Sequence, residues 1–210
     1  MNRPKYASIP KEFNEPTLII VEGKDDEQFI ECIIKDVELQ HYQIVKLEGK
    51  DNLTVNFMSS LTKVTGFNVV KNIAIILDAD RSVENSFRKV RSILENLGFP
   101  TPTKPFEVID GNKYRIGVFL FPDCENPGSI EDLIARSLNE KTCRCINEYI
   151  ECMKKEQFKV ARISKSILYS YLAIQDEPSR DLATAIKRNQ VSIKDSAFEK
   201  IKDFLKKIAE

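Results

Sequence analysis

Along the first 120 or so residues, short apolar runs alternate with longer stretches in which apolar side chains recur every three or four positions. The runs at 17–21, 43–47, 72–77, 106–110 and 116–121 have the length and composition of strands. Between the first two, Phe29, Ile30, Ile33, Ile34 and Val37 share one face of a helix. Residues 53–65 form a second helix, and Phe87, Val90, Ile93, Leu94 and Leu97 give a third its core stripe before Gly98 stops it. Strand and helix in alternation predict a parallel sheet with crossover helices, an α/β fold. The segment 100–105, PTPTKP, is a rigid connector within the domain. After Pro127 the pattern is helical throughout, over 129–138, 141–154, 164–173 and 195–209. Residues 1–140 thus read as an α/β core, and 141–210 as an all-helical extension packed on it, with no internal repeat and no low-complexity tract.

Composition removes several classes of chemistry. The chain has 210 residues, 42% hydrophobic, which suits one compact domain with a small appendage. Its opening residues have no apolar core of the signal-peptide kind, and IAIIL at 73–77 is far too short to cross a bilayer, so a soluble, cytoplasmic protein with no membrane partner is expected. Five cysteines, Cys32, Cys124, Cys143, Cys145 and Cys152, follow no framework or zinc spacing and read as ordinary thiols. Of the seven glycines no two lie closer than Gly111 and Gly117, which rules out GxGxxG and the GxxxxGK[ST] phosphate loop. His41, the one histidine, sits among polar residues and reads as a surface residue, a poor base for a Ser-His or Cys-His mechanism. The net charge is zero but divided: residues 1–140 carry 17 Lys/Arg against 22 Asp/Glu, and 141–210 carry 15 against 10. An acidic site beside a basic surface fits that division, as do solvated helix faces.

What remains is carboxylate chemistry. The first strand emerges as Glu22 in LIIVEGKDDEQF, and the third emerges as Asp78-Ala79-Asp80 in IAIILDADRS. Residues two apart on a strand point the same way, with Cα atoms about 6.7 Å apart. Carboxylates approaching to about 6 Å repel by roughly 3 kcal/mol at an effective dielectric of about 20, and a divalent cation between them reverses the sign. Oxygen ligands alone suit Mg²⁺ or Mn²⁺. The carboxyl edge of a parallel sheet is where ligands bind, and Glu22, Asp78 and Asp80 would meet there. The same acids also suit helix starts, with Asp80 as an N-cap and Asp25 and Asp26 facing a helix dipole.

VEGKDD, residues 21–26, resembles the first motif of the Toprim domain shared by type IA topoisomerases, bacterial primases, ribosomal-RNA maturases and OLD-family nucleases, and DADRSVE, residues 78–84, is similar to its DxDxxGE motif. The resemblance implies a Toprim-like (Rossmann-like), mostly parallel sheet with flanking helices. It implies Glu22 as general acid/base or metal ligand, Asp78 and Asp80 as Mg²⁺ ligands, Gly23 as the tight turn and Asp26 as the motif's trailing aspartate. Val83 replaces the glycine of many members while Glu84 is kept, which puts the topoisomerase and primase branches in doubt; the nearest likeness is to the OLD-family nucleases and ribosomal-RNA maturases. NPGSIEDLI, residues 126–134, looks like the acidic helix start that completes a two-metal site in OLD-type domains, which makes Glu131 a further ligand; by local reading Ser129 is an N-cap and Glu131 a first-turn acid. Lys165 resembles the lysine that follows this site in the same branch, where it would stabilise charge on a phosphate. The chain has no ATPase segment, so a complete OLD enzyme is not expected.

Three functions compete. The first is Mg²⁺-dependent phosphodiester chemistry on DNA or RNA, with Lys154, Lys155, Lys159 and Arg162, interleaved with Phe158, meeting phosphates. The second is a non-catalytic module that binds metal, nucleotide or a protein partner. The third is a DxD glycosyltransferase, which leaves Glu22-Gly23 without a role.

Overall fold

The structure, a computed structural model, describes residues 9–210; the expectation about the opening residues falls largely on 1–8, outside those described. Five strands form one sheet: β1 (Thr17–Val21), β2 (Tyr42–Lys46), β3 (Asn72–Asp78), β4 (Val108–Asp110) and β5 (Arg115–Phe121). Their order is β2-β1-β3-β5-β4, all parallel except β4, which runs antiparallel along β5 at the edge. From β1 the chain steps outward to β2, then returns past β1 to β3. That reversal opens a crevice between the carboxyl ends of β1 and β3, where neighbouring connections leave on opposite sides of the sheet.

Strand alternation sorts the apolar residues into two layers. Ile19, Val21, Ala74, Ile76, Phe119 and Phe121 face one way, against α1 (Lys24–Asp36), α4 (Ile130–Ala135), α6 (Ile163–Ala173), α7 (Leu182–Lys187) and α8 (Glu199–Ala209). Leu18, Ile20, Ile73, Ile75, Leu77 and Val118 face the other, against α2 (Val55–Leu61) and α3 (Val83–Asn96). Both layers are closed by helices, so the strands need no polar face. The α1 stripe expected from the sequence, Phe29, Ile30, Ile33 and Ile34, is buried.

The C-terminal helix reaches furthest into the core. Ile201, Phe204, Leu205 and Ile208 of α8 are fully buried against the sheet. Gly117 in β5 makes this approach possible, because a Cβ there would lie 2.8 Å from the Phe204 ring and 2.9 Å from Val108. Helix α5 (Glu140–Lys155) is much less embedded, with Ile146 and Ile150 its buried residues.

Several boundaries differ from expectation for local reasons. β4 is three residues rather than five, because Phe106 lies at φ 68° and the Glu107 carboxylate turns back to accept the Thr103 hydroxyl at 2.9 Å. α2 is confined to seven residues, starting after Thr54, whose hydroxyl caps the Phe57 N–H at 3.1 Å. α7, a six-residue helix capped by Asp181, was not anticipated: its apolar period is too short to register. The five cysteines are free, and His41 is exposed beside Glu15. No helix among the described residues is long and apolar enough to cross a membrane.

Candidate functional site

The end of β1 passes directly into α1. Gly23 is the N-cap, and its N–H donates to Asp26 Oδ2 at 2.9 Å, so Asp26 folds back over the strand end. The backbone at Gly23 is extended (φ −149°, ψ −167°), which any residue adopts, and an added Cβ would make only ordinary contact 3.5 Å from Asp26. The chain bends at 22–23 between β1 and α1, but this bend needs no glycine-only backbone; what Gly23 supplies is its N–H. Asp26 is 7% exposed, and its second oxygen is buried without a partner, as is Glu22 Oε2. Burial first, and the Glu22 charge second, push the Asp26 carboxyl up to about 7.

Asp78 closes β3 on the adjacent strand. Its Oδ1 accepts the Ile130 N–H at 3.0 Å, which fastens the start of α4 to the sheet edge. Burial, then the charges of Asp26, Glu22 and Glu131, push Asp78 up to about 8. Glu131 enters from α4 and pairs with Lys165 of α6 at 3.1 Å; its side chain is 12% exposed. Burial acts against the charge on Lys165, but the Glu131 carboxylate outweighs it and holds the ammonium above its ordinary value. Asp132 joins the two helices: it accepts the Ser129 N–H and hydroxyl at 2.8 and 3.0 Å, and the Ser164 hydroxyl of α6 as well. Gly128, at φ 143°, is required here, since a Cβ would stand 2.8 Å from the Asp132 carboxylate.

Glu22, Asp26, Asp78 and Glu131 are thus brought together from three separate segments, with Lys165 against them. Asp80 is placed differently from expectation. β3 ends at Asp78, and Asp80 sits in the left-handed region at φ 51° with its N–H bonded to the Gly128 carbonyl at 2.8 Å. Strand alternation no longer governs its side chain, which leaves the carboxylate cluster and pairs with Lys50. It lines the same cleft, of about 670 Å³, as Glu22, Asp78, Glu131 and Lys165. The N-cap of α3 is Ser82 rather than Asp80.

Among the described residues no three Asp, Glu, Cys or His side chains stand in ready-made metal geometry. Two of the four expected ligands are instead held by cations, Glu131 by Lys165 and Asp80 by Lys50. The donor set nevertheless suits a hard divalent cation: it is all oxygen, Glu22 and Asp26 each offer a buried oxygen with no partner, and the acids raise one another's affinity for positive charge.

Lys50 and Arg162 are site residues whose position in the cleft the sequence did not disclose. A signal for Lys50 existed: Glu-Gly-Lys-Asp follows both β1, at 22–25, and β2, at 48–51, and the two strands are parallel neighbours. Arg162 was grouped with Lys154, Lys155 and Lys159, but of these it alone lines the cleft.

Fold and site together define an α/β protein with a carboxylate cluster in its switch-point crevice. Residues 16–210 match the family described as "Protein of unknown function (DUF3226)", and the chain belongs to that family. No curated protein and no solved structure matches it.

Proposed function

We propose that this protein carries out Mg²⁺- or Mn²⁺-dependent phosphodiester chemistry on nucleic acid in the manner of a Toprim-type nuclease. The observation that carries the reading is the convergence of Glu22, Asp26, Asp78 and Glu131 at the carboxyl ends of β1 and β3, with Asp78 held up to about 8 by burial and its acidic neighbours. Asp26 and Asp78, which hold their protons above the usual carboxylate range, would exchange them for a multivalent cation.

Glu22, Asp26 and Asp78 would hold the cation, and Glu131 would join them by turning from Lys165. When bound, it would polarise a phosphoryl oxygen and lower the pKa of a bound water. Lys165, released from Glu131, and Arg162 stand on the same cleft wall and would meet phosphate oxygens. Glu22, which has one buried oxygen without a partner, would accept a proton during the reaction. Lys50, also in the cleft lining, pairs with Asp80.

The test is cleavage of supercoiled plasmid and labelled single- and double-stranded DNA and RNA with Mg²⁺ or Mn²⁺. Activity in the wild type that is lost in an Asp78→Ala, Asp80→Ala double variant is the expected result. Inert wild type overturns the catalytic reading. A second reading, a module that binds metal without turnover, is favoured by the lysine partners already on Glu131 and Asp80; its mark is Mn²⁺ binding by the wild type without cleavage.

A further inference from the structure

Helix α5 ends in a Schellman motif. The Phe158 N–H donates to the Met153 carbonyl at 3.1 Å and the Gln157 N–H to the Lys154 carbonyl at 3.0 Å, with Gln157 in the left-handed region at φ 65°. The residue after the left-handed position in such a motif commonly folds its apolar side chain back onto the helix. Here that residue is Phe158, and it remains 60% exposed. Two backbone hydrogen bonds fix the chain at this residue, and its aromatic ring is left largely in water.

From that ring the chain runs without regular structure to Arg162, the N-cap of α6, which lines the carboxylate cleft. The four-residue span limits the separation of the Phe158 and Arg162 Cα atoms to about 14 Å. Lys155 at the end of α5, and Lys159 and Arg162 on the connection, form no ion pair among the described residues, whereas Lys154 is paired with Glu151 and Lys165 with Glu131. Unpaired cations in a row beside an aromatic platform are what a single strand needs: phosphates meet the cations and a base stacks on the ring. A duplex buries its base faces and offers the ring nothing. A protein partner would be met by apolar side chains, and Ile163 and Tyr149 are also exposed on the flanking helices, so the reporter experiment below separates the two occupants.

We propose that the α5–α6 connection is a single-strand binding element: Phe158 stacks one base while Lys159 and Arg162 lead the backbone into the acidic cleft. This rests on the nucleic-acid reading above and names its substrate as single-stranded, or a duplex with an unpaired flank.

The chain contains no tryptophan, so Phe158→Trp introduces a lone reporter. Its fluorescence is titrated with a mixed-sequence single-stranded DNA oligonucleotide, and with the matching blunt duplex, in EDTA so that cleavage plays no part. In parallel, fluorescence anisotropy of the labelled oligonucleotides compares wild type with Phe158→Ala. Quenching by the single strand, affinity at least tenfold above the duplex, and a roughly tenfold loss in Phe158→Ala are the results expected. Equal affinity for both forms, or no quenching and no loss in Phe158→Ala, overturns the proposal. So does reporter quenching that depends on protein concentration alone, which marks a protein interface. Because the readout is metal-free, binding without cleavage in the Mg²⁺ panel leaves this element standing while the catalytic reading falls; cleavage without stacking does the reverse. Unchanged thermal melting of both variants checks the fold.

Discussion

Replacing Asp78 by asparagine removes one charge from the cluster and leaves its shape intact. The amide oxygen still accepts the Ile130 N–H that anchors α4, so the change isolates electrostatics from architecture. The Asp78 carboxyl stands at about 8 against a reference of 3.8. Its raised value means that the folded protein holds a proton the unfolded chain gives up. The associated stability is fully present below about pH 4 and is lost as pH rises through 8. At about 1.4 kcal/mol per tenfold in proton affinity, that gap corresponds to roughly 6 kcal/mol if Asp78 titrated alone. Asp26 and Glu22 share the burden, since protons leave interacting carboxylates in joint steps, and about 2 kcal/mol is the part that one substitution should recover. The assay is urea unfolding in EDTA at pH 5 and pH 9. The variant's advantage over the wild type should be small at pH 5, grow with pH and reach about 2 kcal/mol at pH 9. Millimolar Mg²⁺ should then stabilise the wild type at pH 9 and leave the variant nearly unmoved, by mass action on the folded state. A variant no more stable than wild type at pH 9 would refute the claim that the acids repel one another across this crevice.

Lys165→Met leaves the largely buried Glu131 without its cation; a loss of about 1–2 kcal/mol at neutral pH is expected in urea midpoints, below the fully buried range because Lys165 is 38% exposed, and Lys165→Arg should restore most of it. Gly128→Ala should lower the melting temperature by several degrees, because the new methyl meets Asp132 in a left-handed backbone, whereas Gly23→Ala should change it little; equal effects would contradict the backbone geometry at both. Phe204→Ala should cost about 3–5 kcal/mol in chemical denaturation, the value for a buried core aromatic, and a loss under about 1 kcal/mol would show that α8 is peripheral.

The strands and the helices that cover them were legible because their signals are local. Buried runs such as IAIIL, and the stripe Phe29, Ile30, Ile33 and Ile34, encode their elements through side-chain periodicity, and every neighbour that matters lies within a turn or two of chain. Glu22 and Asp78 stood out as acids at the ends of buried runs, whereas Asp26 and Glu131, which suit helix starts locally, were singled out only by the resemblance to Toprim motifs. α7 and the shortened β4 were not legible. The first is too brief to show a period, and the second was cut short by Phe106 in a left-handed backbone and by the Glu107 carboxylate turned onto Thr103.

By itself, then, the sequence determined the parallel α/β layers, the acids at the ends of β1 and β3, and the exclusion of glycine-loop and histidine chemistry. The tertiary structure alone decided which acids meet. Asp80, two residues from Asp78 and expected beside it, turns to Lys50 because the strand ends at Asp78, two residues short of it, while Asp26 and Glu131 arrive from distant segments to raise Asp78 instead. Strand order, which puts β1 next to β3, and the backbone angles at two or three residues control that choice. Neither is carried by periodicity, because both depend on contacts between residues far apart in the chain.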